Sequence, residues 1–140
     1  MKANLTEIKN IFSLVKKIES AKNEIISEEC RRTGESNLII TRDFDEGIKM
    51  AYYYAGAIDK IDLLQDKDDL IKTAINLKQD GNIFIELTEI HRLYFGLKFI
   101  FVSLAVSAVP VINKGSAFIP FDIFKTVKEF KTGKVLSGKI

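Results

Sequence analysis

Apolar positions recur at helical spacing along most of this chain, and the pattern culminates in one long apolar stretch. Leu5, Ile8, Phe12, Val15 and Ile18 lie three and four apart with Lys9, Lys16, Lys17 and Glu19 between them, the stripe of an amphipathic helix. Asn4 followed by Glu7 reads as a capping box, so a first helix is expected over residues 4–32. Past Ile18 the stripe thins. Lys22 and Glu29 fall where a continued heptad needs apolar side chains, and the far end around Ile25 and Ile26 is expected to pack separately. RRTGESN then supplies the Gly, Ser and Asn of a connection.

Residues 37–42, NLIITR, are few and β-branched, and read as an extended linker. Asp43 with Glu46 repeats the capping signature and predicts a helix to about Leu64. Asp66 with Asp69 marks a further start, giving a short helix through Leu70, Ile71, Ala74 and Leu77 that Gly81 stops.

Residues 82–112, NIFIELTEIHRLYFGLKFIFVSLAVSAVPVI, follow. Ile83, Leu87, Ile90, Tyr94 and Leu97 keep a helical period, and from Phe99 onward Ser103 and Ser107 are the only polar side chains before Asn113. The expectation is one central helix, kinked or stopped within a turn of Pro110, with Phe101 and Leu104 deep in the core. The uncharged run from Phe99 to Ile112 is fourteen residues long, whereas a membrane-spanning helix needs about 20. A buried core helix fits that length. Two alternatives stay open: a membrane segment over residues 95–112 with Lys98 reaching the interface, and a strand over 97–112, since Val, Ile and Phe crowd those positions. Pro120 opens a last predicted helix to about Lys131, with Phe121, Phe124, Val127 and Phe130 on one face.

These elements predict a single domain over 1–140: all-α, a compact bundle of about five helices around the central one, or α+β if residues 97–112 are a strand. Hydrophobic residues at 46% and charged ones at 29% are ordinary globular values, sufficient for an unaided core. Cys30 is the lone cysteine, which excludes an intramolecular disulfide and fits a reducing compartment. The first twenty residues carry charges every few positions and no secretory apolar core, so the expected location is cytoplasmic, with membrane association as the alternative.

Charge changes the picture more than composition does. The chain is +2 overall, yet residues 43–69 hold eight acids against three bases, and residues 113–140 hold six lysines against two acids. Solvated helix faces account for such runs, as does head-to-tail association or docking of the lysine tail on an acidic partner or anionic lipid. Nucleic acid is disfavoured, because the basic tail has no arginine and its aromatics share one helical face.

Candidate chemistry is sparse. His91 is the single histidine, no second His or Cys gives metal-ligand spacing, and no glycine-rich phosphate loop occurs. Along the sequence His91 has no carboxylate one helical turn before it, and adjoining Arg92 faces about 100° away on an ideal helix; its expected role is structural. Catalytic residues, metal ligands and cofactors are therefore not assigned. The expected function is a non-enzymatic helical interaction protein, an assembly component, chaperone or inhibitor that self-associates or binds a protein partner. The alternative is a small membrane-associated protein anchored by residues 95–112. Partner-binding candidates are Tyr52 and Tyr53 on the second long helix and Phe121, Phe124 and Lys128 near the C-terminus.

Overall fold

The computed structural model describes residues 5–88, 90–113, 125–127 and 134–137. Among these residues six helices and four strands follow in the order α1 (Leu5–Ser20), α2 (Lys22–Thr33), α3 (Asn37–Ala57), α4 (Ile61–Leu64), α5 (Asp69–Leu77), β1 (Asn82–Glu86), α6 (Arg92–Ala105), β2 (Val109–Asn113), β3 (Lys125–Val127) and β4 (Val135–Ser137). The chain is helix-rich, but it is not all-α. Its strands form one sheet in the order β3-β2-β1-β4, with each neighbouring pair parallel.

The helical stripes of the N-terminal half bury as their period demands. Val15 and Ile18 of α1 are fully buried. At Ala21 the backbone leaves helical geometry (φ −92°, ψ 14°), and the Ser20 hydroxyl bonds back to the Lys16 carbonyl at 2.8 Å, a local bond of the kind that bends helices. The expected 4–32 helix is thus two helices, the second with Ile25 and Ile26 buried. Gly34 closes α2 in the left-handed region (φ 73°) and donates its N–H to the Cys30 carbonyl.

Residues 37–42 are the first turns of α3, not a linker. Ser36 is the N-cap, its hydroxyl accepting from the Ile39 amide at 3.3 Å, and Asp43 sits two turns inside. Burial decides this: Ile40, Phe44, Ile48, Ala51, Ala55 and Ile58 are all nearly inaccessible, so one continuous stripe outweighs the β preference of Ile39 and Ile40. The helical run continues past Ala57 through a 3₁₀ turn (Ile58–Lys60) into α4, close to the expected end at Leu64. For α5 the cap is Asp68, whose carboxylate accepts from the Leu70 and Ile71 amides.

The central segment is a β-α-β unit rather than a single helix. Asp80 (φ 52°) and Gly81 (φ 80°) form a two-residue turn in which Gln79 and Asn82 exchange backbone hydrogen bonds at 2.8 and 2.9 Å, the geometry favoured by an Asp-Gly pair. β1 follows with Ile83 and Ile85 buried and Glu86 exposed, an alternation that a helix period also threads. α6 occupies Arg92–Ala105, and its broadest contact is with α3. It ends before Pro110 through a Schellman motif: Ser107 is left-handed (φ 61°), its N–H bonds the Leu104 carbonyl, and the Ala108 N–H bonds the Ser103 carbonyl. Pro110 lies in β2, which pairs with β3 only from Val111 onward, so on that side the proline stands at an edge.

The apolar run is therefore divided between a buried helix and a strand. Residues 95–112 are not one helix, and among the described residues no helix is long and apolar enough to cross a membrane. Phe101 is fully buried as expected, while Leu104 is only partly so, packed at the margin of the core. The predicted C-terminal helix lies mostly outside the described residues, as do Phe121, Phe124 and Lys128; where it overlaps them, Lys125–Val127 is strand β3. A parallel strand there gains its hydrogen bonds from β2, which a short helix of marginal stability does not match.

Candidate functional site at the head of α6

The loop leaving the carboxyl end of β1 brings His91 and Arg92 to the start of α6, and each is held by a carboxylate from a different helix. Arg92 lies on the buried side of α6 and reaches α2, where its Nε and a terminal nitrogen donate to the two oxygens of Glu29 at 2.7 and 2.9 Å. Both side chains are nearly inaccessible. Such a bidentate fork is the geometry that makes a buried guanidinium and carboxylate tolerable.

His91 is the residue before α6 and adopts the left-handed conformation (φ 52°, ψ 31°) without capping the helix through its side chain. The imidazole is engaged elsewhere. Its Nδ1 stands 2.8 and 3.1 Å from the two oxygens of Asp43 in α3; the carboxylate is 10% exposed and the imidazole 45%. A carboxylate only accepts, so Nδ1 carries the hydrogen and donates. Nε2 has no hydrogen-bond partner among the described residues.

The two pairs wall a cleft of about 320 Å³. Ile40 and Leu93 form apolar lining, Ile39 and Ile90 stand at its exposed rim (37% and 58% accessible), and Glu35 adds a third carboxylate. Asp43 and His91 also line a second cleft of about 290 Å³, bounded by Arg42, Glu46, Tyr94 and Phe95. Tyr94 and Phe95 meet edge to face at 5.1 Å, and the Lys98 ammonium lies 5.4 Å from the Tyr94 ring centre.

This position is where parallel sheets place ligands, outside the carboxyl ends of the strands. Its convergent polar groups and apolar walls are those of a binding cleft, and a left-handed non-glycine residue at its centre is the kind of strain that functional sites hold. The chain matches no protein-family model, no curated protein and no solved structure. What the site can do must be argued from its own groups. His91 can accept a hydrogen bond or a proton at Nε2. The hydroxyl of Thr33, which also lines the cleft, donates to the Glu29 carbonyl at 2.8 Å and accepts from the Glu35 amide at 3.2 Å, so it is occupied in holding the end of α2. No group of three or more His, Cys, Asp or Glu among the described residues is placed to hold a metal ion.

The tyrosines singled out from the sequence lie elsewhere. Tyr52 donates to Glu19 of α1 at 2.6 Å and its ring lies 6.4 Å from Phe12; the bond to a carboxylate holds its hydroxyl pKa above the ordinary value. Tyr53, 46% exposed, donates to Asp68 at 3.0 Å, and partial burial and that bond raise its pKa. Tyr54 is buried, and desolvation pushes its hydroxyl furthest up, with Asp68 adding to the shift. These rings tie α3 to its neighbours and do not enter either cleft.

Sequence reasoning missed Asp43 and Glu29 because each had a local explanation, as a helix cap and as a break in a heptad. A usable signal existed for Glu29: it follows Ile25 and Ile26 on the stripe that must be buried, and a buried carboxylate demands a cation.

Proposed function

We propose that this protein is a non-enzymatic binding module whose recognition surface is the cleft at the head of α6. The observation that carries the reading is the pairing of Asp43 with His91 and Glu29 with Arg92, which fixes the cleft walls from three helices while leaving Ile39 and Ile90 exposed at its rim. Preorganised walls lower the entropy lost on binding, and exposed isoleucines around a few convergent polar groups give a partner apolar surface to bury. Binding is favoured over acyl transfer because the hydroxyl lining the cleft is committed to backbone partners. The earlier candidates Tyr52 and Tyr53 are replaced in this reading, since their hydroxyls serve contacts within the chain.

A photo-crosslinking residue at position 90 tests the proposal in the native host. The expected result is a discrete adduct that disappears when Ile39→Asp is added and is absent when the crosslinker stands at exposed Leu63, which lies outside the cleft. Equal labelling from positions 90 and 63 removes the cleft from consideration.

A further inference from the structure

We infer that the cleft receives an arginine side chain from a partner protein, an inference that rests on the binding reading above and names the chemistry of its occupant. The charges lining the cleft are Glu29, Glu35 and Asp43 against Arg92, with His91 beside them. Glu29 is fully spent on Arg92, both of its oxygens accepting from that guanidinium. Two carboxylates remain, those of Glu35 and Asp43, and among the described residues lining the cleft a single imidazole stands opposite them, able to offset one at most. An anionic ligand would meet net repulsion there; a cation completes the charge.

Shape selects among cations. The rim isoleucines, Ile39 and Ile90, are positioned to lie against an aliphatic stem, as long basic side chains require when they cross apolar surface to reach a polar head group. Glu35 is exposed and has one oxygen engaged by the Ser36 amide at 3.0 Å, leaving its other oxygen for a donor. With Nδ1 bonded to Asp43, Nε2 of His91 is the ring atom left to meet a ligand. A planar guanidinium with several N–H groups serves a carboxylate oxygen and an imidazole nitrogen together better than a single ammonium does. The chain already shows that this environment accommodates a guanidinium, since Arg92 occupies its inner wall.

Amide NMR spectra of the whole chain, titrated with N-acetyl-arginine methylamide and with N-acetyl-glutamate methylamide, test the inference. The arginine probe is expected to shift the signals of Ile39 and of residues 90–93 saturably, and the glutamate probe to leave them unmoved. Glu35→Gln, at an exposed position that leaves the core intact, is expected to weaken the arginine probe at least about threefold, as does raising salt from about 0.05 to 0.5 M. Equal or stronger shifts with the glutamate probe, or no shift with the arginine probe, overturn the inference. A cleft-specific adduct from position 90 together with either of those results would leave the binding reading standing and remove only the arginine.

Discussion

Gly47 of α3 lies directly against Leu97 and Leu93 of α6, and enlarging it tests the helix pairing on which the site depends. A Cβ at that position would lie 2.6 Å from Cδ1 of Leu97, 3.1 Å from Cβ of Leu97 and 3.4 Å from the Leu93 carbonyl oxygen. Two effects of Gly47→Ala oppose each other. Alanine in a helix interior is better than glycine by about 1 kcal/mol, whereas forcing a methyl into a filled core costs typically about 1–3 kcal/mol. The tip of Leu97 can rotate away, but its Cβ is fixed to α6, and Leu97 and Leu93 are fully buried. The clash therefore prevails. Expected is a net loss of about 1 kcal/mol, seen as a fall of about 3–6 °C in melting temperature for a domain of this size.

A double-mutant cycle separates this cause from a general loss of helix. Leu97→Ala alone is expected to cost about 2–5 kcal/mol by leaving a cavity, and in its presence Gly47→Ala is expected to cost markedly less, because the Cδ1 met at 2.6 Å is gone while Cβ at position 97 and the Leu93 carbonyl remain. The coupling energy, on the order of 1 kcal/mol, is read from urea unfolding of the four proteins. A stabilised Gly47→Ala single variant with additive effects in the cycle would show that α3 and α6 do not pack through this glycine.

Three further outcomes are expected. Glu29→Leu or Arg92→Met singly removes one partner of a buried charge pair and costs about 3–5 kcal/mol, while the double substitution recovers most of it; urea unfolding in which the double is as damaged as the worse single would contradict the pairing. Tyr54 has a folded-state pKa above its unfolded value, so above about pH 10 the unfolded chain releases the proton first and stability falls with rising pH, by up to about 1.4 kcal/mol per unit; Tyr54→Phe should flatten that fall in alkaline melts, and an unchanged slope would refute it. If the acidic 43–69 stretch of one copy meets the lysine-rich 113–140 stretch of another, the mass measured by sedimentation should drop as salt rises past about 0.15 M, and a salt-independent mass excludes that association.

Where a single physical cause determined an element, the sequence showed it. The stripes of α1 and α5 and the break beyond Ile18 were legible because each follows from helical spacing and its interruption, whereas the capping pattern at Asp43 pointed to α3 but hid its first two turns, residues 37–42. Residues 82–86 were not, since Ile83 belongs both to a strand alternation with Ile85 and to a longer helical period that runs on into Leu87 and Ile90. Only pairing with Pro110, Val111 and Ile112 on one side and with Val135, Leu136 and Ser137 on the other resolves the choice, and partners so distant along the chain leave no trace in a local pattern. The same reason hid the site. His91 and Asp43 are separated by 48 positions and Arg92 and Glu29 by 63, so His91 looked isolated although its carboxylate arrives from another helix.

The break that defeats a helix reading of the central segment also builds the cleft. A helix running unbroken from residue 82 would have placed His91 and Arg92 on adjacent faces of one cylinder, with no reason for both to find buried carboxylates. Instead the chain leaves β1, turns, and enters α6 through a left-handed histidine, a conformation that costs a non-glycine residue roughly 1–2 kcal/mol. The cost is offset locally: His91 is tied to α3 through Asp43, and the next residue is tied to α2 through Glu29. Two successive anchors on two helices over-determine the backbone at that point, which is how strained geometry persists. Both anchors pull inward, and Ile90, immediately before them, is left exposed beside Ile39. The turn, the strain, the Arg92–Glu29 ion pair, the His91–Asp43 hydrogen bond and the exposed rim are thus one arrangement, and a partner docking there would meet walls already set in place.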